Sequence, residues 1–96
     1  MNKLEIRYEA QLYMQVKAGD IYAYGFERIK FKLAKKTFYT PDFYVVGFNL
    51  EFHEVKGHWE DDARVKIKTA AEMFPWFRWV GVTWDRVARM WKYEDF

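Results

Sequence analysis

The chain contains no cysteine. That excludes disulfides and thiolate zinc sites and is compatible with a reducing compartment. No uninterrupted apolar stretch approaches the roughly 20 residues that a membrane-spanning helix needs. Met1 to Glu9 carries charge and holds no apolar run, so it does not read as a signal peptide, and the expected setting is the cytoplasm. Proline occurs only at Pro41 and Pro75, both at points where elements are expected to change. There is no linker, repeat or low-complexity stretch, and 96 residues suffice for one domain and no more.

What the chain has in abundance is rings. Five Trp, seven Tyr and nine Phe exceed what one small core holds, so some rings are expected on a partner surface, protein or nucleic acid. The net charge of +2 permits nucleic-acid binding but does not argue for it; the placement of charge matters more than its sum.

Asn2 to Ala18 reads as a helix. Leu4, Tyr8, Leu12 and Val16 form one apolar stripe, Asn2 with Glu5 fits a capping box, and Gly19 fits the stop. Ile21 to Leu33 reads as a strand in which Phe31 and Leu33 alternate with Lys30 and Lys32. Thr37 to Val46 and Leu50 to Lys56 read as two strands around the tight turn Gly47-Phe48-Asn49. Glu60 to Phe74 reads as a second helix with Ala63, Ile67, Ala70, Ala71 and Phe74 on one face, ended by Pro75. Phe77 to Val82 reads as a fourth strand. Thr83 then caps a last helix through Trp91, with Val87, Met90 and Trp91 inward. The expected fold is an α/β three-layer sandwich with a mixed four-stranded sheet.

If Gly47-Phe48-Asn49 is a three-residue hairpin loop, Val46 pairs with Leu50, Tyr44 with Phe52 and Asp42 with Glu54. The two acids then face each other with Cβ atoms roughly 5 Å apart. Lys56 is two residues on and emerges on the same face. Like charges directly opposite are destabilising, and a divalent cation between them removes the repulsion. Hard oxygen ligands suit Mg²⁺ or Mn²⁺. His53 is adjacent to Glu54 and points to the other face, so the two cannot share a metal within a regular strand. A one-residue slip would reverse every face, so the argument depends on the turn length.

Tyr39-Thr40-Pro41-Asp42-Phe43, followed by Glu54-Val55-Lys56-Gly57, resembles the signature of the PD-(D/E)xK nuclease superfamily. The chain is most similar to small phage-encoded endonucleases, including Holliday-junction-resolvase-like ones, over roughly Asn2 to Val82. The resemblance implies a restriction-endonuclease-like core and a Mg²⁺-dependent DNA endonuclease acting in the cytoplasm, that of the host if phage-encoded. It implies that Asp42, Glu54 and the backbone carbonyl of Val55 hold the metal. It implies that Lys56 orients or deprotonates the attacking water and stabilises charge on the phosphate. An acid on the first helix completes such sites: Glu5 is the first choice and Glu9 the reserve. A homodimer suits a small chain that must cut two strands. The alternative is a non-catalytic nucleic-acid-binding or phage accessory protein that keeps the fold.

Simpler roles stand beside these. Glu5 is also an ideal capping-box residue, and the two roles are compatible. His58 lies at the strand exit, where it contacts phosphate or is merely solvated. Arg64, Lys66 and Lys68 follow the site and are expected to touch a DNA backbone. Lys30, Lys32, Lys35 and Lys36 form the densest positive run, which is usually a solvated face or an edge-strand guard. Trp76, Phe77, Trp79, Trp84 and Trp91 are more often core or dimer interface than a base-stacking platform.

Overall fold

The computed structural model describes residues 1–96. The first helix, α1, spans Lys3–Ala18 and begins in a complete capping box, with the Asn2 side chain on the Glu5 N–H and the Glu5 side chain on the Asn2 N–H. Gly19 ends it in the left-handed region at φ 82°, the conformation glycine adopts most readily. Tyr8 and Leu12, from the expected stripe, are buried.

The expected strand Ile21 to Leu33 is instead two, β1 (Ala23–Phe26) and β2 (Phe31–Ala34). The break falls at Glu27, which sits at φ 49°. The expected strand Thr37 to Val46 is likewise β3 (Thr37–Tyr39) and β4 (Phe43–Val46). Pro41, which has no N–H to offer a ladder, stands in that gap. The physical reason for both breaks is that β2 and β3 leave the sheet and form a hairpin of their own.

β5 (Leu50–Val55) pairs antiparallel with β4 in the expected register, Val46 with Leu50 and Tyr44 with Phe52. α2 (Asp61–Met73) buries Ile67 and Ala70. β6 (Arg78–Asp85) returns parallel to β5, as a crossover through a helix requires.

The last helix is a correction. The chain turns after Asp85, whose Oδ1 accepts the N–H groups of Val87 and Ala88, and Arg89 takes φ 54°. It then forms β7 (Met90–Asp95), antiparallel to β6. Val87 and Met90 are exposed, not inward. β6 runs on to Asp85, past the expected end at Val82, and its open edge supplies a ladder that outweighs helix propensity over so short a segment. Cross-strand pairing sets Trp84 opposite Trp91, with ring centroids 5.0 Å apart.

The result is an α/β fold with two helices and a mixed five-stranded sheet ordered β1-β4-β5-β6-β7. Sheet alternation divides the core. Phe43, Val45, Val55, Val80 and Val82 face Tyr8 and Leu12 of α1. Phe52 and Trp79 face Ile67 and Ala70 of α2, together with Leu33 and Tyr39 of the hairpin. The hairpin therefore shares one face of the sheet with α2. No helix is long and apolar enough to cross a membrane.

Candidate active site

The β4–β5 ladder ends at Phe43 opposite His53. Asp42 lies one step beyond it, where three backbone contacts hold it. Its N–H donates to Glu54 Oε1 at 3.2 Å, its C=O accepts the Glu27 N–H at 2.8 Å, and its Oδ2 accepts the Val55 N–H at 2.8 Å. Asp42 and Glu54 are thus cross-strand neighbours, as the turn length predicts. Each carboxylate is held by an amide of the other strand, which offsets part of their repulsion.

Glu54 is buried and fully engaged. Oε1 also accepts the Tyr39 hydroxyl at 3.0 Å, and Oε2 lies 3.2 Å from Lys56 Nζ. Burial acts to lower the Lys56 pKa, but Glu54, Asp42 and Glu5 outweigh it and the net shift is upward. Lys56 is therefore a firmly charged ammonium. Asp42 is pushed up to about 8, by burial first and then by Glu54 and Glu5, against the Val55 N–H and Lys56. Burial and Glu54 likewise raise the Tyr39 hydroxyl, keeping it a donor.

The carboxylates of Glu5, Glu27 and Asp42 bring one oxygen each within 4.8 Å of one another. Glu5 is there while its Oε1 still caps α1 at 2.8 Å; a carboxylate has two oxygens, so the cap and a place in the cluster are compatible. Glu9 lies outside the cluster, in a cleft along β1 with Tyr24 and Arg28. Glu27 is absent from the sequence reading. One signal could have found it: it is the only acid between Asp20 and Asp42. Its left-handed backbone and its bond to the Asp42 carbonyl set it beside Asp42. Three carboxylates this close form a hard-oxygen set that fits a divalent cation. Glu54, expected as a metal ligand, lies outside this set, its oxygens being engaged by Tyr39, the Asp42 N–H and Lys56, and Val55 meets Asp42 through its N–H, not through the expected carbonyl.

The two sheet faces separate the histidine from the acids. His53 Nδ1 lies 2.7 Å from the Tyr8 hydroxyl on the α1 side, and Nε2 lies 2.9 Å from Glu51. His58 is exposed, 3.9 Å from Glu60. Of the α2 cations, Lys66 lines a cleft with Glu54 and Lys56. Arg64 is engaged elsewhere: it forks onto Glu94 at 3.2 and 2.6 Å, and it shares a different cleft with Lys68. Trp79 is core, whereas Trp76 is exposed.

If this cluster is the cation site, Glu5→Gln and Glu27→Gln should each weaken Mn²⁺ binding by about tenfold or more, since affinity tracks ligand charge. Glu9→Gln should leave it unchanged. Titration calorimetry on the three variants checks this; loss in Glu9→Gln alone would move the site along α1.

Comparison of the chain with models of known protein families, with curated proteins and with solved structures yields no match.

Proposed function

We propose that the chain is a metal-dependent DNA endonuclease of the PD-(D/E)xK class, hydrolysing phosphodiester bonds in branched or otherwise structured DNA. The observation that carries this reading is the meeting of Asp42, Glu54 and Lys56 with Glu5 at one end of a sheet between helices. The order helix, three strands, helix, strand, with the β2–β3 hairpin and β7 as additions to it, supports the restriction-endonuclease-like core that belongs to this reading.

Mg²⁺ is the proposed cofactor, with Mn²⁺ able to replace it, and Glu5, Glu27 and Asp42 are the residues that would hold it. When bound, such a cation polarises the scissile phosphate and makes water a better nucleophile. The chain's own groups supply the remaining chemistry. Lys56 offers N–H donors to the charge that grows on the phosphate oxygens. The acids around it, Glu54 first, favour its charged, donating form. Glu54 keeps the ammonium aimed, and the Tyr39 hydroxyl and the Asp42 N–H keep Glu54 in place. A homodimer, with one centre for each strand cut, belongs to the same reading. Tyr22, Phe48 and Trp76, exposed at the other end of the sheet, are rings free to meet a second copy.

The test is cleavage of labelled junction, flap, duplex and single-stranded oligonucleotides by purified protein with Mg²⁺ or Mn²⁺. Cleavage that EDTA abolishes is expected. Lys56→Met should lower the rate by roughly 10² to 10³, the usual effect of losing one stabilising donor. Failure to cut any substrate with either ion rejects the enzyme, and DNA binding without cleavage would favour the non-catalytic alternative.

A further inference from the structure

The positive charge of this protein is concentrated in one place. Residues 28 to 41 hold Arg28, Lys30, Lys32, Lys35 and Lys36 and no acid, a charge of +5. The rest of the chain, with eleven of the sixteen cations against all fourteen acids, is net −3. The segment is the β2–β3 hairpin with its approach and exit, and all five cations are exposed. None takes part in any of the protein's ion pairs. Cations that serve only solubility are normally interspersed with acids. Here the acids have been left out.

Direction follows from alternation. Phe31 and Leu33 turn inward onto the α2 side of the core, so Lys30 and Lys32 turn outward. Lys32 is paired across the hairpin with Phe38, and Lys30 Nζ lies 4.4 Å from the Phe38 ring centroid. Phe38 in turn lines a cleft of about 320 Å³ with Tyr39, Glu54, Lys56, Asp62 and Lys66. Through Phe38 the cationic outer face of the hairpin adjoins the cleft that holds Glu54, Lys56 and Lys66. A chain of negative charges lying on this face would reach the acid centre.

We propose that the outer face of the β2–β3 hairpin is the phosphate-backbone clamp of a nucleic acid, with Lys30, Lys32, Lys35 and Lys36 as its point charges and Lys56 and Lys66 at its inner end. That the clamped strand is cut at Asp42 rests on the nuclease reading; the clamp itself does not. Lysines contacting phosphates position a strand without reading bases, so binding is insensitive to sequence and steeply dependent on salt. The Arg64 and Lys68 side of α2 makes a minor contribution, because Glu94 already neutralises Arg64 and Glu72 and Asp95 share that cleft.

The experiment is fluorescence anisotropy of labelled single-stranded and duplex DNA in EDTA, across a salt series, so that no cleavage occurs. The variants are K30Q/K32Q/K35Q, and R64A/K68A for comparison. The hairpin variant is expected to lose roughly tenfold in affinity per lysine near ~0.1 M salt, and its log–log salt slope should fall by about two to three. R64A/K68A should stay within about threefold of wild type. Unchanged melting temperature and circular dichroism establish that the hairpin variant is folded, and K32E alone should weaken binding further than K32Q alone. Retained affinity and slope in the folded hairpin variant, or a slope loss confined to R64A/K68A, overturns the clamp. So does a wild-type protein that binds neither DNA form. Hairpin-dependent binding by a protein that cuts no substrate in the separate assay with Mg²⁺ or Mn²⁺ would remove the nuclease reading and keep the clamp; cleavage in that assay with hairpin-independent binding in EDTA would do the reverse.

Discussion

Asp42→Asn is expected to abolish cleavage, by about 10³-fold or more if the site works as proposed, while making the metal-free protein more stable. The two effects share one cause. Asp42 is buried among Glu54, Glu5 and Glu27, and its carboxyl is raised to about 8 from an ordinary 3.8. A carboxyl with a raised folded pKa binds a proton in the native state that the unfolded chain has already released. Its contribution to stability is therefore full below about 3.8 and is lost as pH rises to about 8. Asparagine keeps an oxygen for the Val55 N–H and puts an amide donor, not a charge, toward the other acids. Thermal denaturation in EDTA should show the variant melting about 5 °C or more above wild type near pH ~8.5, with the gap closing near pH ~4. A variant that melts below wild type at the higher pH would show that the charge is not under strain. One that still cleaves would remove Asp42 from the chemistry.

Divalent cation should reverse that penalty in the wild-type chain. At about 100 times its dissociation constant, a ligand that binds only the native state contributes roughly 2.7 kcal/mol, which in a domain of this size raises Tm by about 10 °C or more. The shift should be largest above pH ~8, where Asp42 is ionised, and shrink toward pH ~5.5, where binding must first displace its proton. Asp42→Asn should show little of it at any pH. Melting curves with Mn²⁺ or Mg²⁺ across this range decide the matter. An equal shift in wild type and Asp42→Asn would place the ion elsewhere on the surface, and no shift at all would leave the acid cluster without a cation.

Tertiary contacts set the α2 cations apart from one another. By position in sequence, Arg64, Lys66 and Lys68 follow the motif directly and look best placed for DNA. In three dimensions only Lys66 opens on the site cleft, while Arg64 is held by a residue thirty positions away, Glu94. Spacing along a helix establishes which side chains are neighbours, but not which acids from other elements have already met them.

The same division runs through the whole molecule. The sequence by itself determined whatever depends on neighbours within a few residues. It set α1 with its Asn2–Glu5 box and its Gly19 stop, because capping is a local hydrogen-bond problem. It set the β4–β5 register through the three-residue turn, and with it the assignment of His53 and Glu54 to opposite faces. It placed Asp42 beside Glu54 for the same reason. The tertiary structure alone decided what depends on partners distant in the chain. Glu27 joins Glu5 and Asp42 because β1 pairs with β4 and its end turns through a left-handed residue. The stretch after Thr83 is strand and turn because β6 offers an open edge, although its residues alone suit a helix. And residues 28 to 41 become a cationic ribbon beside the acid centre because that hairpin leaves the main sheet and packs on Phe52 and Trp79, a long-range choice that no local pattern in the lysine run encodes.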